Sequence, residues 1–151
     1  MQLDKIKLNY IRLSYYFILC LLFYMYAEKL KLLKPYLNNC YSPYSKFNVA
    51  TLLVFPDRDF FGVNVENCSY SLTTCAEKNC ITSAITEGYN LSDALYMIVI
   101  TNTADTITPC GACRQILSEF FPPDFIIHTC GNNNEIKSYS LNLLLPNGFI
   151  K

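Results

Sequence analysis

The sequence predicts an α/β domain in which a mixed β-sheet is covered by helices. An apolar, branched run at residues 48–55, the turn residues Pro56-Asp57-Arg58-Asp59 and a second run at 60–65 read as an antiparallel hairpin. Beyond it, helically spaced segments alternate with short apolar runs, which places helices between strands. The length, 151 residues, suits one domain with one core.

Taken in order, Leu30, Leu33 and Leu37 recur at helical spacing and predict a first helix over 27–37, ended by Asn38-Asn39 and Pro43. The hairpin follows. Thr73 or Thr74 then caps a helix that runs to about Gly88. Residues 95–101 read as a buried strand. Pro109 stands where helices begin, so 110–121 reads as a second helix, stopped by Pro122-Pro123. Strands at 125–129 and 136–141 complete the set, before a turn at Leu143-Leu144-Leu145-Pro146.

Residues 1–26 stand apart from the domain at 27–151. Nothing from Leu13 to Ala27 is charged, and a strongly apolar run at 16–23 follows Lys5, Lys7 and Arg12. That layout fits a targeting or membrane segment, a helix that packs in an oligomer, or an upstream start codon; it falls short of the ~18–20 residues of a spanning helix. Asn67-Cys68-Ser69 is an N-glycosylation acceptor expected inside the substrate pocket, where a glycan would block it, so a cytoplasmic location is expected.

Lys+Arg and Asp+Glu balance at 12 each, so no bulk field draws the chain to nucleic acid. A small, roughly neutral ligand suits it better. Eight cysteines could form a disulfide framework in a short secreted protein, but a 52% apolar composition builds a core without staples. Metal binding by some of them is expected. Cys68, Cys80 and Cys130 read as small buried hydrophobes, and Cys20 and Cys40 carry no legible signal. His128, the only histidine, reads as a packed or surface side chain.

The chemistry lies in Cys75-Ala76-Glu77 and in Pro109-Cys110-Gly111-Ala112-Cys113-Arg114-Gln115. Three thiolates form the protein half of a catalytic zinc site, in which three ligands leave the fourth position open; a structural site would want a fourth protein ligand, and no well-placed candidate is visible. Cys110 and Cys113 fall within one helical turn, while Cys75 comes from the other helix. Both motifs sit at predicted helix N-termini, where the free amides favour thiolate over thiol. Lys78 or Arg114 is a candidate to donate to the sulfurs and offset their charge. Glu77, two residues after a ligand, is placed to take a proton from the attacking water and hand it on.

These motifs, with Tyr44-Ser45-Lys46-Phe47, Gly62-Val63-Asn64-Val65-Glu66-Asn67 and Leu144-Leu145-Pro146 in the same order, resemble the small homotetrameric cytidine deaminases of nucleoside salvage. The resemblance covers about 27–149. It implies a three-layer α/β/α sandwich, one Zn²⁺ per chain on Cys75, Cys110 and Cys113, and Glu77 as the catalytic proton shuttle. It further implies that cytidine or deoxycytidine is hydrolysed to uridine or deoxyuridine and ammonia. Asn64 and Glu66 match the pair that binds the ribose 3′-hydroxyl, and Phe47 matches the aromatic on the base. Ala76 lies in the substrate-binding motif. Tyr70 and Phe149 match positions that reach a neighbouring subunit's pocket, which ties activity to assembly. Two departures stand out: Lys78 occupies a position where the family usually has Arg, and the N-terminal extension is foreign to it. A deaminase of another small cytosine nucleoside, or an inactive zinc-binding homologue, is the alternative; Glu66 argues against the first.

Overall fold

The structure is a computed structural model and describes residues 24–149. The chain divides after Leu32 into an N-terminal segment and a body beginning at Leu33. Of the N-terminal segment, residues 24–32 are helical, with Tyr26 and Leu30 buried and Tyr24, Met25 and Leu32 exposed. The remainder of the apolar run expected at 13–27, and Cys20, lie outside the described residues. Among the described residues, no helix is long and apolar enough to cross a membrane.

The body is built on a mixed five-stranded sheet of order β2-β1-β3-β4-β5. Its strands are β1 (Val49–Val54), β2 (Asp59–Val63), β3 (Tyr96–Thr101), β4 (Ile126–Cys130) and β5 (Ile136–Ser140). β1 and β2 form the expected hairpin, with Leu52 opposite Phe61, and Phe55 N–H donates to the Arg58 carbonyl across the turn. Only β3 and β4 run parallel. A parallel pair needs a long crossover, and the segment between them supplies it with a helix.

Every residue of β1 is buried, a pattern that requires cover on both faces of the sheet. One face carries Val49, Leu53, Phe60, Met97, Val99 and Ile127 into a core shared with Cys80, Ile81 and Ala84 of α1 (Ala76–Thr86) and Leu117 of α2 (Gly111–Phe120). The short α3 (Leu141–Leu144) adds Leu141 and Leu144. On β2, Phe61 alternates with buried Phe60, and its ring stacks on Tyr36 at 4.3 Å.

Tyr36 belongs to a 3-10 turn, Lys34–Asn39, and here the structure corrects the expected helix over 27–37. α-Helical geometry stops at residue 33, because Pro35 lacks an N–H and its ring clashes with the carbonyl four residues earlier. The cap of α1 is a second correction. Thr74 is held in an isolated bridge with Val65, and the Thr73 hydroxyl accepts from Asn67 N–H at 3.3 Å. The N-cap is therefore Cys75 itself, with no side-chain cap bond. α1 ends as expected: Gly88 adopts φ 81°, and the amides of Gly88 and Tyr89 bond back to Ile85 and Ala84. The segment expected as a turn at 143–146 instead begins inside α3.

Cys80 and Cys130 are buried, as expected of small hydrophobes. The Cys80 thiol bonds to the Phe60 carbonyl at 3.1 Å, and burial pushes it well up. Cys68 is a correction, because it is exposed in the loop after β2. His128 is half-buried in β4, its Nδ1 2.8 Å from Ser138 Oγ and its ring edge-on to Tyr96.

α1 packs tightly on β2 at Gly62, where a Cβ would fall 2.2 Å from the Ala76 carbonyl oxygen and 2.5 Å from the Cys80 nitrogen. Both obstacles are backbone, so a side chain there must push the start of α1 off the sheet. We therefore expect Gly62→Ala to lower stability by about 1–3 kcal/mol or more. Urea denaturation measures this, and zinc binding should weaken in parallel because Cys75 opens the displaced helix.

Candidate active site

The loop after β2 brings the motifs together. Residues 64–66 run between two other segments, with Tyr41 bridged to Val65 on one side and Thr74 on the other. Tyr41 N–H donates to the Asn64 carbonyl and Glu66 N–H to the Tyr41 carbonyl, while Val65 and Thr74 exchange both of their bonds at 2.9 Å. Segments distant in sequence thereby converge on one cavity of about 310 Å³, lined among others by Phe47, Asn64, Glu66, Cys75, Glu77 and Cys110.

At the floor, Cys75 and Cys110 are the N-caps of α1 and α2, and Cys113 lies in the first turn of α2. The sulfurs of Cys75, Cys110 and Cys113 all lie within 4.8 Å of one another, and Cys75 Sγ is 3.9 Å from Cys110 Sγ. Three sulfurs bound tetrahedrally at ~2.3 Å from one ion would lie about 3.8 Å apart, so the donor set fits zinc. The protonation pattern fits it too. A hydrogen bond from Cys113 draws the Cys75 thiol down to about 6, against burial and the Glu77 charge, with smaller help from Cys110 and Lys78. Cys113, as the donor in that bond and as a buried group, is pushed up. Without a cation the cluster accommodates one thiolate by keeping its neighbour protonated, and a divalent ion removes that conflict.

The wider chain agrees with the site. The family model described as "Cytidine and deoxycytidylate deaminase zinc-binding region" matches residues 27–129. The chain belongs to this cytidine and deoxycytidylate deaminase family. It is 38% identical over 123 residues to the cytidine deaminase of Mycoplasma genitalium, covering 81% of this chain and 93% of that one. It is 42% identical over 109 residues to a probable cytidine deaminase of Dictyostelium discoideum, covering 71% of each. The crystal structure of cytidine deaminase from Burkholderia pseudomallei superposes with a TM-score of 0.74 at 36% identity, covering 79% of this chain and 94% of that one.

Within this family frame the other singled-out residues fall into place unevenly. Glu77 is 4% exposed in the cavity wall; burial raises its carboxyl, against hydrogen bonds from its own amide and from Cys113. Ala76 is buried beside it and lines the cavity. The Asn64 side chain is engaged with β1, accepting from Val49 N–H at 2.9 Å and donating to the Phe47 carbonyl at 2.8 Å. One of its amide hydrogens is left for a ligand. The Glu66 carboxylate caps the preceding turn, accepting from Tyr44 N–H at 2.9 Å, Ser45 N–H at 3.2 Å and the Ser45 hydroxyl. Those bonds, led by the Ser45 hydroxyl, lower its pKa. Phe47 lines the cavity and also packs on the core. Lys46 just before it takes φ 58°, held by Lys46 N–H on the Ser42 carbonyl and by Asn102 Nδ2 on its own carbonyl.

Tyr70 is 73% exposed, edge-on to Tyr44, and lines a neighbouring cavity with Ser45, Glu66 and Thr73. Phe149 is 78% exposed and lies outside both cavities. Lys78 is half-buried and acts on Cys75 through its charge. Arg114 is a correction. Its guanidinium points to Pro109, Leu144 and Thr108, not to the sulfurs. The glycosylation acceptor is another: Asn67, Cys68 and Ser69 are exposed, and none of them lines the cavity. Sequence reasoning missed Thr73, Ile107 and Thr108 as cavity wall. Thr108, immediately before Pro109-Cys110, was the one with a usable signal.

Stripping the metal should leave the three sulfurs poorly satisfied. We expect chelation to lower the melting temperature and to expose Cys75 and Cys110 to a thiol reagent that the zinc-loaded protein resists. Counting reactive thiols before and after zinc is restored checks this, with Cys68 reactive in both states.

Proposed function

We propose that this protein hydrolyses cytidine and deoxycytidine to uridine or deoxyuridine and ammonia, with one Zn²⁺ per chain held by Cys75, Cys110 and Cys113. The observation that carries the reading is Glu77, a buried carboxyl at the cavity floor beside the thiol cluster. Burying a carboxylate costs free energy, which the place of Glu77 in the first turn of α1 offsets only in part.

When bound, zinc supplies Lewis acidity that lets a water ionise near neutral pH. Glu77 takes the proton this water releases and delivers it to N3 of the cytosine ring as a C4–O bond forms. It then carries the proton of the new C4 hydroxyl to the amino group, so that the C4–N4 bond breaks as the C4 carbonyl forms, and ammonia leaves. Phe47, fixed by bonds at both its N–H and its carbonyl, stacks on the base. Glu66 Oε1 and the remaining Asn64 amide hydrogen bind the ribose 3′-hydroxyl, which both donates and accepts.

Cytidine and deoxycytidine as substrates support a role in pyrimidine salvage, and a cytoplasmic location belongs to the same proposal. Tyr70 and Phe149 complete the site of a neighbouring copy in a homotetramer. Their exposure supports this, because neither large ring is buried within its own chain. Lys78 tunes the charge of the site where the family usually has Arg, and a point ammonium is a poor substitute for a planar fork.

Glu77→Gln should keep zinc and lower the deamination rate ~10² to 10⁴-fold. Near-normal turnover in that variant would remove Glu77 from its role. Native mass spectrometry should show four copies, each with a single zinc ion; a zinc-free or monomeric active species would contradict the assembly and stoichiometry.

A further inference from the structure

Arg114 is half-buried in the first turn of α2, directly after Cys113. Its donors reach three acceptors on two separate parts of the chain. Nε donates to the Pro109 carbonyl at 2.7 Å, Nη2 to Thr108 Oγ1 at 2.7 Å and Nη1 to the Leu144 carbonyl at 2.8 Å. Its backbone N–H bonds to the Cys110 carbonyl at 2.9 Å. Arg114 therefore grips the peptide groups on both sides of Cys110. Cys110 needs such support, because its side chain is exposed and its helix begins at that residue.

The third acceptor belongs to the C-terminal part of the chain. Leu144 closes α3, whose Leu141 and Leu144 are buried in the core, so its carbonyl is a fixed point. Gln115, the next residue, donates to the Phe149 carbonyl at 2.6 Å. Arg114 thus joins the loop before Cys110 to the end of α3, and Gln115 ties α2 to the segment that follows α3.

We propose that Arg114 is a positioning residue for the metal site: its guanidinium locks the 108–110 loop to the end of α3, and so keeps the Cys110 sulfur in place beside Cys75 and Cys113. This rests on the reading that the cluster holds zinc. A guanidinium suits this task because its donors sit on three nitrogens spread over one plane and meet three acceptors at once, whereas the protons of an ammonium radiate from a single nitrogen. The same clamp fixes Thr108, a wall of the cavity, so it orders the metal side and the substrate side together.

The test uses the full chain loaded with Zn²⁺ or, for spectroscopy, Co²⁺. In competition with a chromophoric chelator, Arg114→Lys should bind Zn²⁺ about 10- to 100-fold more weakly, the usual size of an outer contact to a metal site. The ligand-field bands of the Co²⁺ protein should change in position and intensity as Cys110 shifts. Thr108→Val, which removes one acceptor, should change both readouts in the same direction by less. Wild-type zinc affinity and an unchanged Co²⁺ spectrum in Arg114→Lys, even with a lower melting temperature, would overturn the proposal. If that variant does not fold, the same null result in Thr108→Val overturns it. A wild-type protein that binds zinc yet leaves cytidine intact would sink the proposed activity and leave this inference standing; one that binds no zinc would sink both.

Discussion

Three thiolates within 4.8 Å repel one another unless a cation lies among them, and much of this body is arranged to hold those sulfurs together. Two helices start at the same place, each opening on a cysteine in place of an ordinary cap. Serine, threonine or aspartate at those caps would satisfy a free amide and stabilise the helix by ~1 kcal/mol. The chain forgoes that twice. In exchange, the unpaired amides present partial positive charge where the sulfurs gather, which is stability given up locally for a site that accepts anions.

Keeping two helix ends in register demands rigid neighbours, and the polar residues around the cavity serve this need as well as any ligand. Asn64 joins the loop after β2 to the start of β1, and Glu66 holds the turn that carries Phe47. Each is a local brace whose remaining bonding capacity faces a cavity. Such double use lowers the entropy lost on binding, because groups already fixed by the fold need no ordering when a nucleoside arrives. It also means that replacing either residue changes the backbone as well as the contact, so a loss of affinity there does not by itself measure a hydrogen bond to the ribose.

The strands and both motif-bearing helices were legible to within a residue or two, since their signals are local: branched runs, turn residues, Pro109 and Gly88. Where the reading failed, a contact between distant parts of the chain decided the outcome. Thr74 does not cap α1 because Val65 takes its backbone, and nothing near Thr74 in sequence announces that bridge. Arg114 turns from the sulfurs because Leu144, 30 residues on, offers a carbonyl. The helix across 27–37 is different: Pro35 is a local signal, and the helical spacing of the leucines does not override its missing N–H. In the site, the pairing of Cys110 with Cys113 followed from spacing, whereas the approach of Cys75 and the braces made by Asn64 and Glu66 depend on segments more than a dozen residues away.

The electrostatics of the site follow from these placements. Zn²⁺ with three thiolates carries a formal charge of −1, and an ionised Glu77 would add another, in surroundings that screen charge weakly. Arg114 keeps its positive charge but makes no bond to the sulfurs, because its donors are committed to two carbonyls and a hydroxyl. Beside it stand the two helix N-termini, worth roughly half a charge each, and Lys78 in the first turn of α1. Lys78 already draws the Cys75 thiol down through space without a bond to it. A lysine in that position is a single mobile charge, so its influence depends on where the ammonium rests and on ionic strength, in a way that a fixed guanidinium's would not. Two constant dipoles set the baseline of the site, and the charge of Lys78 that trims it is carried on a flexible stem.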